Sequence, residues 1–98
     1  MAEVVVIEFE EPQAVRIYNE VNRIIGWDGE PDTGIWPAGM ISHLAAEAGG
    51  KLIVVEAWES RADQEKFMAS TLGPAFEQAQ VPHPGRVEWF NGIMNVHR

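Results

Sequence analysis

The hydrophobic pattern of the chain alternates between two periods. Residues 3–11 (EVVVIEFEE) carry apolar side chains on both faces of a two-residue repeat, which is typical of a strand covered on both sides. Residues 12–26 predict a helix, because Pro12 suits a first turn and Gly26 suits the end of a helix. The apolar face of that helix repeats every three or four residues and consists of Ala14, Tyr18, Val21 and Ile25.

The middle of the chain predicts a long loop and then a β-hairpin. Residues 27–39 are rich in glycine and proline, and a connection of this length is often a flap over a site. The loop also holds Trp27 and Trp36, for which sealing one end of the core is the favoured role, because tryptophan is usually buried. Residues 40–59 predict a hairpin that turns at Gly49–Gly50, a pair that permits positive φ at both central positions.

The next segment predicts a helix in two pieces. In residues 60–79, Ser60 can cap the helix, and Asp63 stands where a capping box usually has glutamate. Gly73–Pro74 predicts a break, because proline lacks the amide hydrogen that an interior helical position needs. A second short helical piece is then expected to start at Pro74.

The end of the chain closes the predicted fold. Residues 86–98 predict a strand in which Asn91–Gly92 is either a hairpin turn or a bulge, and the bulge is preferred because the element order needs one closing strand. The order β-α-β-β-α-β predicts one α+β, ferredoxin-like domain over residues 1–98, with both helices on one face of a four-stranded antiparallel sheet. Since the strands are apolar on both faces, the second face predicts a homodimer in which two sheets pack into a dimeric α/β barrel.

The composition of the chain limits the binding partners and the cellular location that can be expected. A chain of 98 residues is expected to form one domain, and 46% hydrophobic residues supply the apolar surface that an oligomer needs. The net charge of −8 argues against binding to nucleic acid and to anionic membranes, because both attract basic surfaces. No leader sequence is visible, and no apolar run approaches the ~18 residues of a membrane span. Together with the absence of cysteine, these features favour a cytoplasmic protein.

Several common kinds of site are not predicted. His43, His83 and His97 are far apart and show no paired metal-ligand spacing, so no metal is expected. The sequence lacks a nucleophile elbow, a phosphate-binding loop and a dinucleotide fingerprint, and no cofactor is expected.

Glu56 is the polar exception among the apolar residues of the second hairpin arm. It lies either in a cleft or at the edge of the strand. A solvated position, or a salt bridge with Arg61 or Lys66, is the favoured interpretation.

The run VVEAWESRADQEKFMASTLGPAF, residues 54–76, carries a family likeness. It resembles the strand, the Trp-Glu-Ser junction and the following helix of antibiotic-biosynthesis-monooxygenase-like proteins, which are dimeric α/β barrels. The resemblance covers the whole chain in element order and length, and small, mostly uncharacterised actinobacterial-type members look most similar. The features shared with those members are His43, Trp58-Glu59-Ser60, Leu72-Gly73-Pro74 and His97.

The resemblance implies a fold more specifically than an activity. The superfamily includes cofactor-free oxygenases, haem-degrading enzymes, cyclases and isomerases, as well as members without known chemistry. The haem-degrading branch has a tryptophan at the position of Phe67 and an iron-ligating histidine on the second helix. Residues 61–82 contain no histidine, so haem degradation is not expected.

Cofactor-free oxygenation is the activity that the resemblance favours. An electron-rich phenol or anthrone-like substrate needs an apolar, aromatic pocket and a base that favours its deprotonation, after which oxygen reacts with the carbanion. His43 is the candidate catalytic residue, because a neutral histidine can accept a proton near neutral pH. The residues expected to bind the ligand are Tyr18, Trp27, Trp36, Trp58, Phe67 and Phe76. For Trp58, packing at the edge of the core is favoured over a substrate contact.

A hypothesis from another class stays open. The chain could be a non-catalytic dimeric barrel that binds a small apolar ligand or is purely structural, with His43 as an ordinary hydrogen-bonded strand residue. A second polar group beside His43, and a cavity of a few hundred Å³ between helices and sheet, would favour the enzyme.

Overall fold

The structure, a computed structural model, describes residues 2–10, 13–27 and 35–93. Its elements are β1 (Glu3–Phe9), α1 (Ala14–Ile25), β2 (Met40–Ala48), β3 (Lys51–Trp58), α2 (Arg61–Phe67), a π-helix (Met68–Leu72), α3 (Gly73–Ala79) and β4 (Arg86–Asn91). The strands form a four-stranded antiparallel sheet in the order β2-β3-β1-β4, and the helices pack on one face of it. The predicted α+β, ferredoxin-like fold is therefore confirmed.

The face of the sheet that meets the helices carries the core. Val5 of β1 and Leu52, Val54 and Trp58 of β3 are buried there. Inward residues of β3 alternate with outward ones, as the two-residue period of a strand requires. Within the described part of the chain, no helix is long and apolar enough to cross a membrane.

The opposite face of the sheet also carries many apolar side chains, together with the charged residues Glu8, Arg86 and Glu88. Its apolar side chains come from all the strands and include Val4, Val6, Leu44, Ile53, Val55 and Phe90. Leu44 is 62% exposed and Phe90 is 44% exposed, so this outer face is open in the single chain. The prediction that the strands are apolar on both faces is confirmed.

In the second helical arm, a short helix begins at Gly73–Pro74 as predicted, but the predicted break before it is absent. The arm stays helical, because a π-helix joins α2 to α3 and the Gly73 N–H donates to the Met68 carbonyl. The wider turn accommodates Pro74, which has no amide hydrogen for the ordinary helical bond. Gly73 permits this close approach, since a Cβ there would lie 2.9 Å from the Met68 carbonyl oxygen.

The closing strand is described as far as Asn91. It pairs with β1 along its length, and the Gly92 N–H then donates to the Ala2 carbonyl at 2.8 Å. The single closing strand that the element order required is present. The second part of the predicted strand, residues 94–98, lies outside the described residues. The choice between a bulge and a hairpin turn at Asn91–Gly92 depends on that part and stays a prediction.

Candidate active site

A chain of hydrogen bonds links the helices to the sheet. Tyr18 Oη lies 2.7 Å from His43 Nε2, and His43 Nδ1 lies 2.8 Å from Glu56 Oε2. The indole N–H of Trp58 donates to Glu56 Oε1 at 3.0 Å. These side chains, Tyr18, His43, Glu56 and Trp58, are called the polar chain below. It runs from α1 through β2 to β3 and occupies both oxygens of the carboxylate.

The hairpin register brings His43 and Glu56 together. In the ladder between β2 and β3 these residues are direct partners, and side chains of direct partners on one face of a sheet are neighbours. Trp58 stands two residues after Glu56 and therefore shares its face. Tyr18 lies on the inward side of α1 and reaches His43 across the space between helix and sheet.

The surroundings of Glu56 differ from the favoured interpretation. Glu56 is only 5% exposed, and it lies in the cleft rather than at an edge facing solvent. Its partners are His43 and Trp58, whereas Arg61 and Lys66 are exposed on α2. The expectation of a solvated carboxylate or a salt bridge is therefore wrong, because the strand period places Glu56 in the buried row of β3.

The geometry indicates how the polar chain is protonated when His43 is neutral. A carboxylate accepts hydrogen bonds, so the His43 Nδ1–H donates to Glu56. His43 Nε2 is then an acceptor, and the Tyr18 hydroxyl donates to it. The His43 and Glu56 side chains are only 11% and 6% exposed, which shields this pair from solvent.

Tyr18 is held in its un-ionised form at neutral pH. Burial raises the pKa of the Tyr18 phenol above its ordinary value of 10.0. A hydrogen bond with Asn22 acts in the opposite direction, and the charge of Glu56 raises the pKa further. Tyr18 therefore presents a neutral hydroxyl, which can donate to His43 while its oxygen accepts from a ligand.

The polar chain borders a cavity of about 320 Å³ between the helices and the sheet. That volume falls at the lower end of the ~300–1,000 Å³ typical of small-molecule sites. Side chains on its wall that bear on function are Tyr18, Trp27, His43, Glu56, Gln64, Phe67 and Phe76. Aliphatic side chains from the sheet and helices supply most of the remaining wall. Its largely apolar wall with a few polar groups can contact a small apolar molecule that carries a hydroxyl or carbonyl group.

The structure places two of the predicted ligand-binding tryptophans away from this cavity. Trp58 is 0% exposed, and its indole N–H is already bonded to Glu56, which agrees with the favoured role in the core. Trp36 is absent from the cavity wall, but it lines a neighbouring cleft together with Tyr18, Trp27 and His43. Its indole N–H donates to the Met40 carbonyl at 2.9 Å. The remaining predicted residues meet around one cavity.

Trp27 is positioned by the end of α1. Gly26 has a φ of 78°, and the N–H groups of Gly26 and Trp27 donate to the carbonyls of Arg23 and Asn22 in a Schellman motif. The Trp27 ring then meets His43 edge-on, with ring centroids 4.4 Å apart. The Trp27 indole nitrogen is enclosed and has no hydrogen-bond partner among the described residues.

Sequence reasoning missed the pairing of His43 with Glu56, although a signal for it exists. A two-residue hairpin turn fixes the register of its strands. Counting outward from Gly49–Gly50 therefore places His43 opposite Glu56, as the ladder between β2 and β3 shows.

Gln64 was also missed as a residue of the cavity wall. It is 8% exposed and lines the cavity from α2. The available signal is helical spacing, because Gln64 precedes Phe67 and Met68 by one helical turn and so falls on the apolar stripe of its helix.

The other histidines do not join His43 in the described structure. His83 is exposed in the segment between α3 and β4 and is absent from the cavity wall, and His97 lies outside the described residues. Among the residues that the structure describes, no three histidine, aspartate or glutamate side chains gather into a group able to hold a metal ion.

Solved structures share this fold at low sequence identity. A candidate antibiotic biosynthesis monooxygenase from Chloroflexus aurantiacus is 9% identical, with a TM-score of 0.66 over 99% of this chain and 98% of that one. Another antibiotic biosynthesis monooxygenase is 15% identical, with a TM-score of 0.63 over 96% of this chain and 100% of that one. A protein of unknown function from Nitrosomonas europaea is 9% identical, with a TM-score of 0.68 over 99% of this chain and 94% of that one.

These likenesses concern the fold. No family model matches the sequence. The chain has the fold of antibiotic-biosynthesis-monooxygenase-like proteins, and the resemblance drawn from the sequence is confirmed at that level. What the chain does has to be argued from its own side chains.

Proposed function

We propose that the protein is a small-molecule enzyme, an oxygenase without a cofactor that acts on aromatic hydroxy compounds of the phenol or anthrone type. The observation that carries the proposal is the polar chain, in which a tyrosine, a histidine and a carboxylate are linked in series on the wall of an apolar cavity. The fold shared with a candidate antibiotic biosynthesis monooxygenase supports the same class of reaction.

The polar chain would take a proton from the substrate in two linked transfers. The acidic O–H or C–H group of the substrate gives its proton to Tyr18 Oη, while the Tyr18 proton passes to His43 Nε2. The imidazolium that forms is stabilised by the Glu56 carboxylate, 2.8 Å from Nδ1. Trp58 holds the other oxygen of that carboxylate and so fixes its orientation.

Oxygen then completes the reaction without a further group from the protein. For an anthrone-type substrate, the carbanion adds O₂ to form a C–O bond, and the resulting peroxide anion takes back the proton held by the polar chain. Loss of water from the CH–OOH group leaves a carbonyl. One O₂ is consumed for each CH₂ group oxidised, with one oxygen atom in the product and one in water.

Oxygen uptake tests this proposal. We expect wild type to consume O₂ with at least one member of a panel of anthrones and quinols. His43→Ala should lower the rate by about 10²–10⁴-fold, the usual contribution of a positioned base. His83→Ala is the matched control, because that histidine is exposed and absent from the cavity wall. Equal rates for wild type and His43→Ala would contradict the proposed role of the polar chain.

A second candidate is a non-catalytic protein that binds a small apolar ligand. The observation in its favour is that both ring nitrogens of His43 already have partners within the protein. Under this hypothesis the polar chain only orders the cavity wall. Ligand binding without any oxygen uptake or proton exchange, in wild type and His43→Ala alike, would favour it.

We also propose that the protein is a homodimer whose outer sheet faces pack together. The support is the exposed apolar face described above, on which Leu44 and Phe90 stand among half-buried valines and isoleucines. Burying apolar surface contributes a favourable transfer term of about 25 cal/mol for each Å², against which the entropy cost of association counts. The cavity lies on the other side of the sheet, so the dimer leaves it within each subunit.

A further inference from the structure

The side-chain amide of Gln64 is a polar group on the cavity wall that lacks a hydrogen-bond partner among the described residues. The side chain is 8% exposed and lines the cavity. Its backbone carbonyl accepts a helical hydrogen bond from the Met68 N–H. Its side-chain amide makes no hydrogen bond with any residue that the structure describes. An amide that is removed from bulk water without a hydrogen-bond partner is unfavourable.

The amide of Gln64 retains some accessible surface. Among the described residues, the fully enclosed side-chain nitrogen or oxygen without a partner is Trp27 Nε1, so the unpaired atoms of Gln64 are not fully enclosed. The cavity is the open space that Gln64 lines. A ligand in the cavity is therefore in a position to supply the missing hydrogen bond.

Gln64 approaches the cavity from a different wall than the polar chain. Tyr18 reaches it from α1, and His43 and Glu56 reach it from the hairpin. The start of α2 is attached elsewhere, since the Arg61 N–H bonds the Glu3 carboxylate of β1. The members of the polar chain are hydrogen-bonded to one another, whereas the Gln64 amide has no partner among the described residues. The cavity thus offers a second, separate polar contact.

We propose that Gln64 selects bifunctional aromatic ligands, which carry one hydroxyl for Tyr18 and a second hydroxyl or carbonyl for the Gln64 amide. An amide both donates and accepts, so it can bind either group. The aromatic rings of such a ligand would pack against the apolar wall of the cavity between Tyr18 and Gln64. The inference rests on the proposed function in one respect: it takes the cavity as the ligand site.

Binding of two naphthols tests this inference without requiring turnover. The probes are a naphthol with one hydroxyl and a naphthalene diol with one hydroxyl on each ring, titrated by calorimetry. Wild type should bind the diol more tightly by about three- to tenfold, the effect of one added buried hydrogen bond. In Gln64→Leu, which keeps a similar volume, this preference should disappear while the affinity for the mononaphthol is retained.

The controls separate recognition from folding. Gln64→Met is a second apolar variant, and Gln78→Leu changes an exposed glutamine of α3 that is absent from the cavity wall. Equal affinity of wild type for the two naphthols, whether measurable or undetectable, would overturn the inference. A diol preference that persists in Gln64→Leu and Gln64→Met would do the same. Oxygen uptake is not read in this experiment, so its outcome stays separate from that of the proposed reaction.

Discussion

Tyr18 is the one tyrosine in the chain, so its ionisation can be followed directly by ultraviolet absorbance. Burial and the Glu56 charge raise its pKa, and we expect its titration midpoint in the folded protein to lie above 10.0. Glu56→Gln removes one of the causes and should lower that midpoint relative to wild type. His83→Ala should leave it unchanged.

The same titration has a consequence for stability. A phenol with a raised pKa in the folded state stabilises that state fully below the ordinary pKa of 10.0, and the contribution is lost as the pH rises through the folded value. We therefore expect alkaline unfolding to begin while Tyr18 is still protonated in folded molecules. A folded-state midpoint at or below that of the denatured protein would contradict the burial of the Tyr18 hydroxyl.

The sequence predicts single residues of the site better than their partners. His43 and the aromatic residues Tyr18, Trp27, Phe67 and Phe76 could be proposed from residue type and period, and the structure brings them to one cavity. Which groups bond to His43 depends on the register across the hairpin and on the distance from α1 to the sheet. These are tertiary quantities, and residue type does not determine them.

At the scale of elements, the helical arm gives a sharp test. Gly73→Ala should lower the free energy of unfolding by about 1–3 kcal/mol, because the added Cβ would press on the Met68 carbonyl oxygen. Urea denaturation followed by circular dichroism measures this. Ser70→Ala, an exposed change within the π-helix, should have little effect. If Gly73→Ala were as stable as wild type, the close approach of Gly73 to the Met68 carbonyl oxygen would be contradicted.

Element boundaries were predictable where a side chain defines them. The predicted cap at Ser60 is confirmed, since its Oγ accepts from the Asp63 N–H at 3.2 Å. Gly26 ends α1 as expected. The predicted break at Gly73–Pro74 is absent because the π-helix accommodates a proline that has no amide hydrogen. A rule for α-helices does not predict a π-helix.

At the scale of the whole molecule, the outer face of the sheet predicts the oligomeric state. Wild type should have the mass of a dimer by light scattering at micromolar concentration. Leu44→Glu, which puts a charge on the proposed interface, should shift the mass toward that of a monomer while circular dichroism shows a folded chain. Ala62→Glu on the exposed side of α2 is the control. A wild-type monomer would contradict the homodimer.

The global fold was predictable because element order and two-faced strands restrict the topology to few solutions. The cavity could not be predicted, because its volume of about 320 Å³ depends on the distance between the helices and the sheet. Large aromatic residues on a helix can fill such a space or line it, and the sequence pattern is the same in both cases. The proposed function therefore rests on the cavity and the polar chain together.

Proton abstraction by the polar chain can be measured apart from oxygen chemistry. Under anaerobic conditions, exchange of the acidic C–H hydrogens of anthrone for deuterium is followed by nuclear magnetic resonance. We expect wild type and His83→Ala to accelerate the exchange. Tyr18→Phe and His43→Ala should lose about 10²–10⁴-fold of that acceleration. Exchange as fast in Tyr18→Phe and His43→Ala as in wild type, or no acceleration by wild type, would contradict proton abstraction by the polar chain.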